Sequence, residues 1–291
     1  MVAWLLLKRV VLWVAAAFVA AQLLALGLAS QFLKAPDAYQ ILENPADPAN
    51  AVYLLAYVIA SAAVLLLLLK YYRGKLLFTL IEFLLVLFTL QVALELFIPT
   101  LAAIAIAFVL ALARFKFPHL RTALLIVATS VVAALIGVWI DLLPAALLAL
   151  LLSAYDVIAV FYTKHMITLA KGLEGRAASF SISFALGDRK KIASAKRRLK
   201  PANETPPSEA EWSGEFIELG TGDIVMPAML ACAALKVSPL LSAAALVGGV
   251  IGLFLLFHLL ERRRGYWPAL PPIVACTLAA IGIAYVAQLI F

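Results

Sequence analysis

Nine stretches of this chain are apolar for long enough to cross a lipid bilayer or nearly so: 10–29, 51–69, 76–97, 99–113, 122–140, 142–163, 216–235, 237–260 and 268–291. A spanning helix needs about 20 apolar residues. In hydrocarbon every backbone group must find a partner within the chain, which leaves helices and closed barrels as the spanning structures. These runs read as helices. Composition agrees: 66% of the residues are hydrophobic and 13% charged, against about 25% charged in a soluble domain. A soluble enzyme, a nucleic-acid-binding domain and a disordered chain are excluded on these grounds. Cys232 and Cys276 both lie in apolar runs and read as small core residues, neither a disulfide pair nor metal ligands.

The fourth run is short, and Pro99 separates it from the third. Charge placement decides whether the two are one element. Cytoplasmic loops collect Lys and Arg. With the amino terminus inside and nine separate helices, 21 of the 23 basic residues fall on one side, leaving Lys34 and Lys236 on the other. Merging the two runs would put Arg114, Lys116 and Arg121 on the wrong side. The sequence therefore predicts an all-α polytopic membrane protein with nine transmembrane helices, amino end cytoplasmic and carboxyl end outside. A cleaved signal peptide is the alternative for the first run, since Lys8 and Arg9 precede it and it ends near Gly27-Leu28-Ala29. The run is longer than a typical signal core, and the charge pattern works with it retained. The net charge of +7 is then mostly an orientation signal facing anionic lipid, with no nucleic-acid partner implied.

Three parts follow. Residues 1–163 form a six-helix amino-terminal bundle, 164–215 a cytoplasmic loop, and 216–291 a three-helix carboxyl-terminal part. Within the loop, 179–186 alternate polar and apolar and predict a strand. Residues 189–200 are basic, and 201–211 are rich in Pro and Glu and read as mobile.

Ionisable residues inside a bilayer are costly and mark function by default. Three acids fall within the predicted spans: Glu82, Asp156 and Asp223. Glu82, two turns into the third run, reads as structural, reaching the interface or a neighbouring polar group. Asp156 lies eight residues before Lys164, about 12 Å of helix at about 1.5 Å per residue. Asp223 lies seven residues into its run, or about 10 Å. The two carboxyls are thus predicted at nearly one depth on consecutive antiparallel helices. Facing carboxylates in a medium of low dielectric cannot both ionise easily, and the pair can share a proton. An aspartic protease needs this arrangement, and so does a proton or ion relay; the two residues alone leave both open.

Their surroundings tilt the balance. Asp223 closes the sequence Gly220-Thr221-Gly222-Asp223, and Pro227 follows four residues later. Glycines permit close backbone approach, and a proline removes the donor for the Asp223 carbonyl. Irregular backbone is therefore predicted around Asp223, lining a wet cavity. A third element, Pro268-Ala269-Leu270-Pro271-Pro272, opens the last helix at a similar depth. Three prolines in five residues predict an extended segment with free backbone groups.

Together these residues resemble the presenilin and signal peptide peptidase family of intramembrane aspartyl proteases. Tyr155-Asp156 matches the family's YD motif in helix six, Gly220-Thr221-Gly222-Asp223 its GxGD in helix seven, and Pro268-Ala269-Leu270 its PAL at helix nine. The order of the motifs, the long loop between helices six and seven and the nine spans match as well. The small size is similar to that of a prokaryotic, archaeal homologue, and the amino-inside orientation to that of presenilin rather than signal peptide peptidase. The resemblance implies cleavage of peptide bonds within transmembrane helices or remnant signal peptides, with Asp156 and Asp223 as catalytic pair. Tyr155, Gly220, Thr221, Gly222, Pro268, Ala269 and Leu270 would shape the site or contact substrate. It implies no cofactor or metal, a cell-membrane location, contact with lipid, and leaves a homo-oligomer possible.

A substrate helix must unwind before attack, because its carbonyls are hydrogen-bonded. Segment 179–186, or Glu215–Leu219, is expected to pair with the unwound strand. Serine and zinc proteases are disfavoured, since the chain has no GxSxG or HExxH and His119, His165 and His258 are scattered. Prepilin peptidases share GxGD but not the rest. From another class, an ion- or proton-coupled transporter or leak channel could use the same acid pair.

Overall fold

The computed structural model describes residues 2–34, 39, 41–72, 74, 76–162, 181–185, 216–262 and 268–290. Nine α-helices are bounded among them: α1 (Val2–Phe32), α2 (Ala49–Tyr71), α3 (Leu76–Glu95), α4 (Thr100–Lys116), α5 (Pro118–Trp139), α6 (Leu142–Val157), α7 (Thr221–Leu235), α8 (Pro239–Arg262) and α9 (Leu270–Ile290). Seven of them are long and apolar enough to cross a membrane by length and composition. α4 has 17 residues and α7 has 15. The expected mobile stretch 201–211 and the basic run 189–200 lie outside the described residues.

Proline punctuates the bundle as a residue without an N–H should. Pro99 precedes α4 and keeps it separate from α3, and Pro118 opens α5.

The central element is α7. Every side chain from Ile224 to Ala234 is buried, because the helix packs against α1, α5, α6, α8 and α9. A helix apolar on all sides belongs in the middle of a bundle, and a small-residue sequence allows neighbours to approach. A Cβ on Gly137 of α5 would lie 2.5 Å from Cys232 Cβ and 2.7 Å from the Met229 carbonyl oxygen. Without a hydrophobic drive between helices in lipid, close contact of this kind supplies the association energy. A second seam joins α8 to α9: Cβ atoms on Gly248 and Gly252 would lie 2.6 Å from the Cys276 carbonyl oxygen and 2.6 Å from Ile273 Cα respectively.

One expectation fails at α7. The apolar run 216–235 was predicted as one helix, but Phe216–Gly220 is a strand, β2, and the helix starts at Thr221. At about 1.5 Å per residue, 15 residues reach only about 22 Å, short of an apolar thickness near 30 Å. Depth counted in helical residues from 216 therefore does not hold. β2 pairs antiparallel with β1 (Ser181–Ala185), from Ser181 opposite Gly220 to Ala185 opposite Phe216. Within the strand predicted over 179–186, residues 181–185 thus form one, with a partner that is the chain itself.

Glu82 is 2% exposed and has specific partners. Arg121 binds it bidentately, with Nε 2.9 Å from Oε1 and Nη2 3.0 Å from Oε2. Arg114 Nη1 lies 3.0 Å from Oε1, and both side chains are 2% exposed. Arg114 Nη2 also donates to the Thr79 carbonyl at 3.3 Å, and its guanidinium sits 4.8 Å from the centre of the Phe115 ring. Arg114 counts among the topogenic charges in the sequence, yet it is a buried cross-link between α3 and α4. Lys236 is likewise engaged: its ammonium donates to the Val138 and Ile140 carbonyls at 3.0 and 3.1 Å, closing the carboxyl end of α5.

Candidate active site

α6, α7 and α9 pack pairwise on one another, and each brings one of the motifs to their junction. Asp156 stands one residue before the end of α6 and is 5% exposed. Beyond Val157 the helix continues as a π turn, Ile158–Tyr162. A π turn widens the backbone locally and occurs most often at functional positions.

The carboxylate of Asp156 meets the amino end of α9, where its Oδ2 accepts the Leu270 N–H at 3.2 Å. The Ala269 N–H bonds the same carboxylate. A helix amino terminus leaves four N–H groups without intrahelical partners, those of the cap residue and the first three helical residues. Here these are Ala269, Leu270, Pro271 and Pro272. The two prolines have no N–H, and the remaining two donors both go to Asp156. The expected extended segment with free backbone groups is therefore corrected. The helix begins at Leu270, prolines are tolerated in its first turn, and the free donors are taken. Pro268 is buried, and Ala269 and Leu270 are half-buried.

Asp223 is the third residue of α7, capped by Gly220 with φ −63° and ψ 141°. Its side chain accepts the N–H of Gly220. This is the returning half of a capping box, in which the third helical residue reaches back to the cap. A Cβ on Gly220 would lie 3.0 Å from Asp223 Oδ2, so the first glycine makes room for the carboxylate. A Cβ on Gly222 would meet nothing within 4 Å, and Gly222 is exposed; the second glycine leaves open space beside the acid. Thr221 begins the helix and is half-buried, as is Asp223. The irregular backbone expected around Asp223 is confined to Gly220, where strand turns to helix. Asp223 itself is helical, with Pro227 inside the helix.

The two carboxylates lie within electrostatic reach of each other. Each is held by main-chain amides at a helix amino terminus, where the backbone dipole attracts negative charge. Tyr155 adjoins Asp156 and is half-buried. An apolar cavity of about 330 Å³ opens alongside, lined by Leu54 and Tyr57 of α2, Ile136 of α5, Leu148 and Leu152 of α6 and Met226 of α7. Leu152 is one turn before Asp156 and Met226 one turn after Asp223. Among the described residues, no three His, Cys, Asp or Glu side chains gather where a metal could be held.

Sequence reading missed three features: the π turn, the partners of Glu82 and the glycine seam that seats α9. Of these, the seam left a signal, since Gly248 and Gly252 have the spacing of a close-packing motif.

A family profile described as signal-peptide peptidase, presenilin aspartyl protease matches residues 15–290. Among solved structures, a presenilin family intramembrane aspartate protease in the C222 space group superposes with TM-score 0.65 at 22% identity, covering 95% of this chain and 99% of that one. The P2 form gives TM-score 0.62 at 22% identity, covering 94% and 96%. At that identity the likeness is one of fold. No curated protein matches the chain.

Proposed function

We propose that this chain, which belongs to the signal-peptide peptidase and presenilin aspartyl protease family, hydrolyses peptide bonds within transmembrane helices using Asp156 and Asp223. The observation that carries the reading is the convergence of two interacting carboxylates, each fixed by amides at a helix amino terminus. One carboxylate takes a proton from water, which attacks the scissile carbonyl. The other, protonated, donates to the carbonyl oxygen as it gains charge. Both groups must be immobile and within reach of one water, and the amides of Gly220 and Leu270 supply the immobility.

The substrate class is a single transmembrane helix or a remnant signal peptide. The apolar cavity between α2 and α6 suits the intact part of such a helix, because its lining, Ser61 apart, is apolar up to one turn from each aspartate. The unwound part pairs as a third strand with the β1–β2 sheet, whose register ends at Gly220, the cap of the Asp223 helix. Strand addition satisfies the backbone groups that unwinding exposes. Tyr155, Thr221, Gly222, Pro268, Ala269 and Leu270 line this junction. All nine helices lie in the membrane, α7 spanning only part of its thickness, with the amino end inside as in presenilin, in a prokaryotic cell membrane. The chain divides into the amino-terminal bundle 1–163, the loop 164–215, which carries β1, and the carboxyl-terminal part 216–291.

The test uses purified protein, a transmembrane peptide and the variants Asp156→Ala and Asp223→Ala. Wild type cleaves, each variant does not, and an aspartyl-protease transition-state mimic blocks the wild type. Equal cleavage by all three refutes the assignment. Wild type that passes ions without cleaving establishes the transporter or channel alternative. Cleavage unchanged after deletion of 179–186 refutes strand pairing alone.

A further inference from the structure

Gln22 of α1 is 0% exposed, and neither its Nε2 nor its Oε1 has a hydrogen-bond partner among the described residues. An unpaired buried polar group costs about 1–3 kcal/mol, so a side-chain amide left this way in an apolar helix calls for a partner. Its surroundings identify one.

α1 packs against α5, α7 and α8. Its height is set next to Gln22, where Ser130 of α5 donates to the Ala21 carbonyl at 2.9 Å. On the α8 side stands Gly249, which has no side chain to fill the space. A Cβ there would lie 3.3 Å from Gln22 Nε2, 3.4 Å from Gln22 Oε1 and 3.1 Å from Pro227 Cβ. The Gln22 amide, Gly249 and Pro227 therefore meet at one junction of three helices.

Pro227 is four residues after Asp223 and sits inside α7. In a helix the carbonyl of residue 223 points along the axis toward the N–H of residue 227, on one face. Proline has no N–H to offer. The Asp223 main-chain carbonyl thus lacks its helical donor on the face that meets Gln22, while Gln22 has donors and no acceptor.

We propose that Gln22 Nε2 donates to the main-chain carbonyl of Asp223 through one bridging water, and so positions the first turn of α7. Gln22 is a positioning residue, acting through the backbone that carries the Asp223 carboxyl. The kinetic part of this inference rests on the reading of Asp223 as a catalytic group; the hydrogen bond does not. A hydrogen bond is worth about 0.5–1.5 kcal/mol net, or about threefold to tenfold in rate.

Two readouts test the proposal in the full-length protein. In Gln22→Leu, kcat for a transmembrane peptide falls about threefold to tenfold with KM unchanged. Pro227→Ala returns an N–H to the helix, and in that background Gln22→Leu changes kcat by less than about twofold, the signature of a coupled pair. The second readout needs no catalysis. Asp223-Ile224 is the one Asp-Ile pair in the sequence, so carbonyl-¹³C aspartate with ¹⁵N isoleucine gives a single correlated signal. That carbonyl resonance moves upfield in Gln22→Leu, and in Gln22→Met if the leucine variant does not fold. An unmoved resonance overturns the proposal. So does equal loss of kcat with and without Pro227, or higher thermal stability with unchanged kcat, the behaviour of a mere spacer. A wild type that fails to cleave refutes the protease assignment and leaves the resonance to decide the role of Gln22.

Discussion

Replacing Gly252 with alanine tests whether the α8–α9 seam holds the Asp156 site together. The added Cβ would lie 2.6 Å from Ile273 Cα, 2.9 Å from the Pro272 carbonyl oxygen and 3.1 Å from the Ile273 carbonyl oxygen. Carbon atoms rest comfortably at about 3.5–4.0 Å. All three neighbours are backbone atoms that cannot rotate away, so the first turn of α9 must move by about 1 Å, the difference between those spacings. Overpacking of this sort costs about 1–3 kcal/mol in stability. The larger effect is on the site, since Ile273 is less than one turn from Leu270. The bond from the Leu270 N–H to Asp156 is already 3.2 Å long, at the outer edge of the usual range of about 2.7–3.2 Å. A shift of about 1 Å in either direction breaks or distorts it, and misplacement on that scale costs about 100-fold in rate. The assay pairs thermal melting in detergent with cleavage of a transmembrane peptide. Gly282→Ala, on α9, is the control, because a Cβ there meets nothing within 4 Å. It gains up to about 1 kcal/mol of helix propensity and cleaves normally. A Gly252→Ala protein that melts earlier yet cleaves at the wild-type rate refutes the link between seam and carboxylate.

Gly220→Ala is expected to leave the melting temperature nearly unchanged, because the new Cβ meets only the tip of Asp223, Oδ2 at 3.0 Å; the carboxyl turns off its amide and kcat falls by about tenfold or more. Glu82→Gln leaves two arginines, one of them 2% exposed, without their shared counter-charge. It is expected to lower stability by about 3 kcal/mol, measured by melting in detergent, while leaving kcat per folded molecule unchanged. A dyad with one proton is active only while one carboxylate is ionised and the other protonated. The rate should therefore rise and then fall with pH, and a flat profile from about pH 4 to 9 would contradict a shared proton.

The sequence alone determined the solvent this protein lives in and which acids are unusual. Apolar runs of bilayer length and sparse charge settle the first by local chemistry, and the cost of a buried carboxylate singles out Glu82, Asp156 and Asp223. Pro99 marked a helix boundary correctly because a missing N–H acts on its own turn. Where an outcome depended on a partner elsewhere in the chain, local reading failed. The run 216–235 splits into strand and helix because 181–185 pairs with its first residues. The proline-rich start of α9 is helical, with its two remaining donors bound by Asp156, 114 residues earlier in the chain in the case of Leu270. Arg114 looked like a loop charge and is buried because Glu82 on a neighbouring helix receives it. Hydropathy and helix signals act over a turn or two of chain. Hydrogen bonds and ion pairs join residues that only the packed bundle makes neighbours, and in this protein those bonds set the position of both carboxylates.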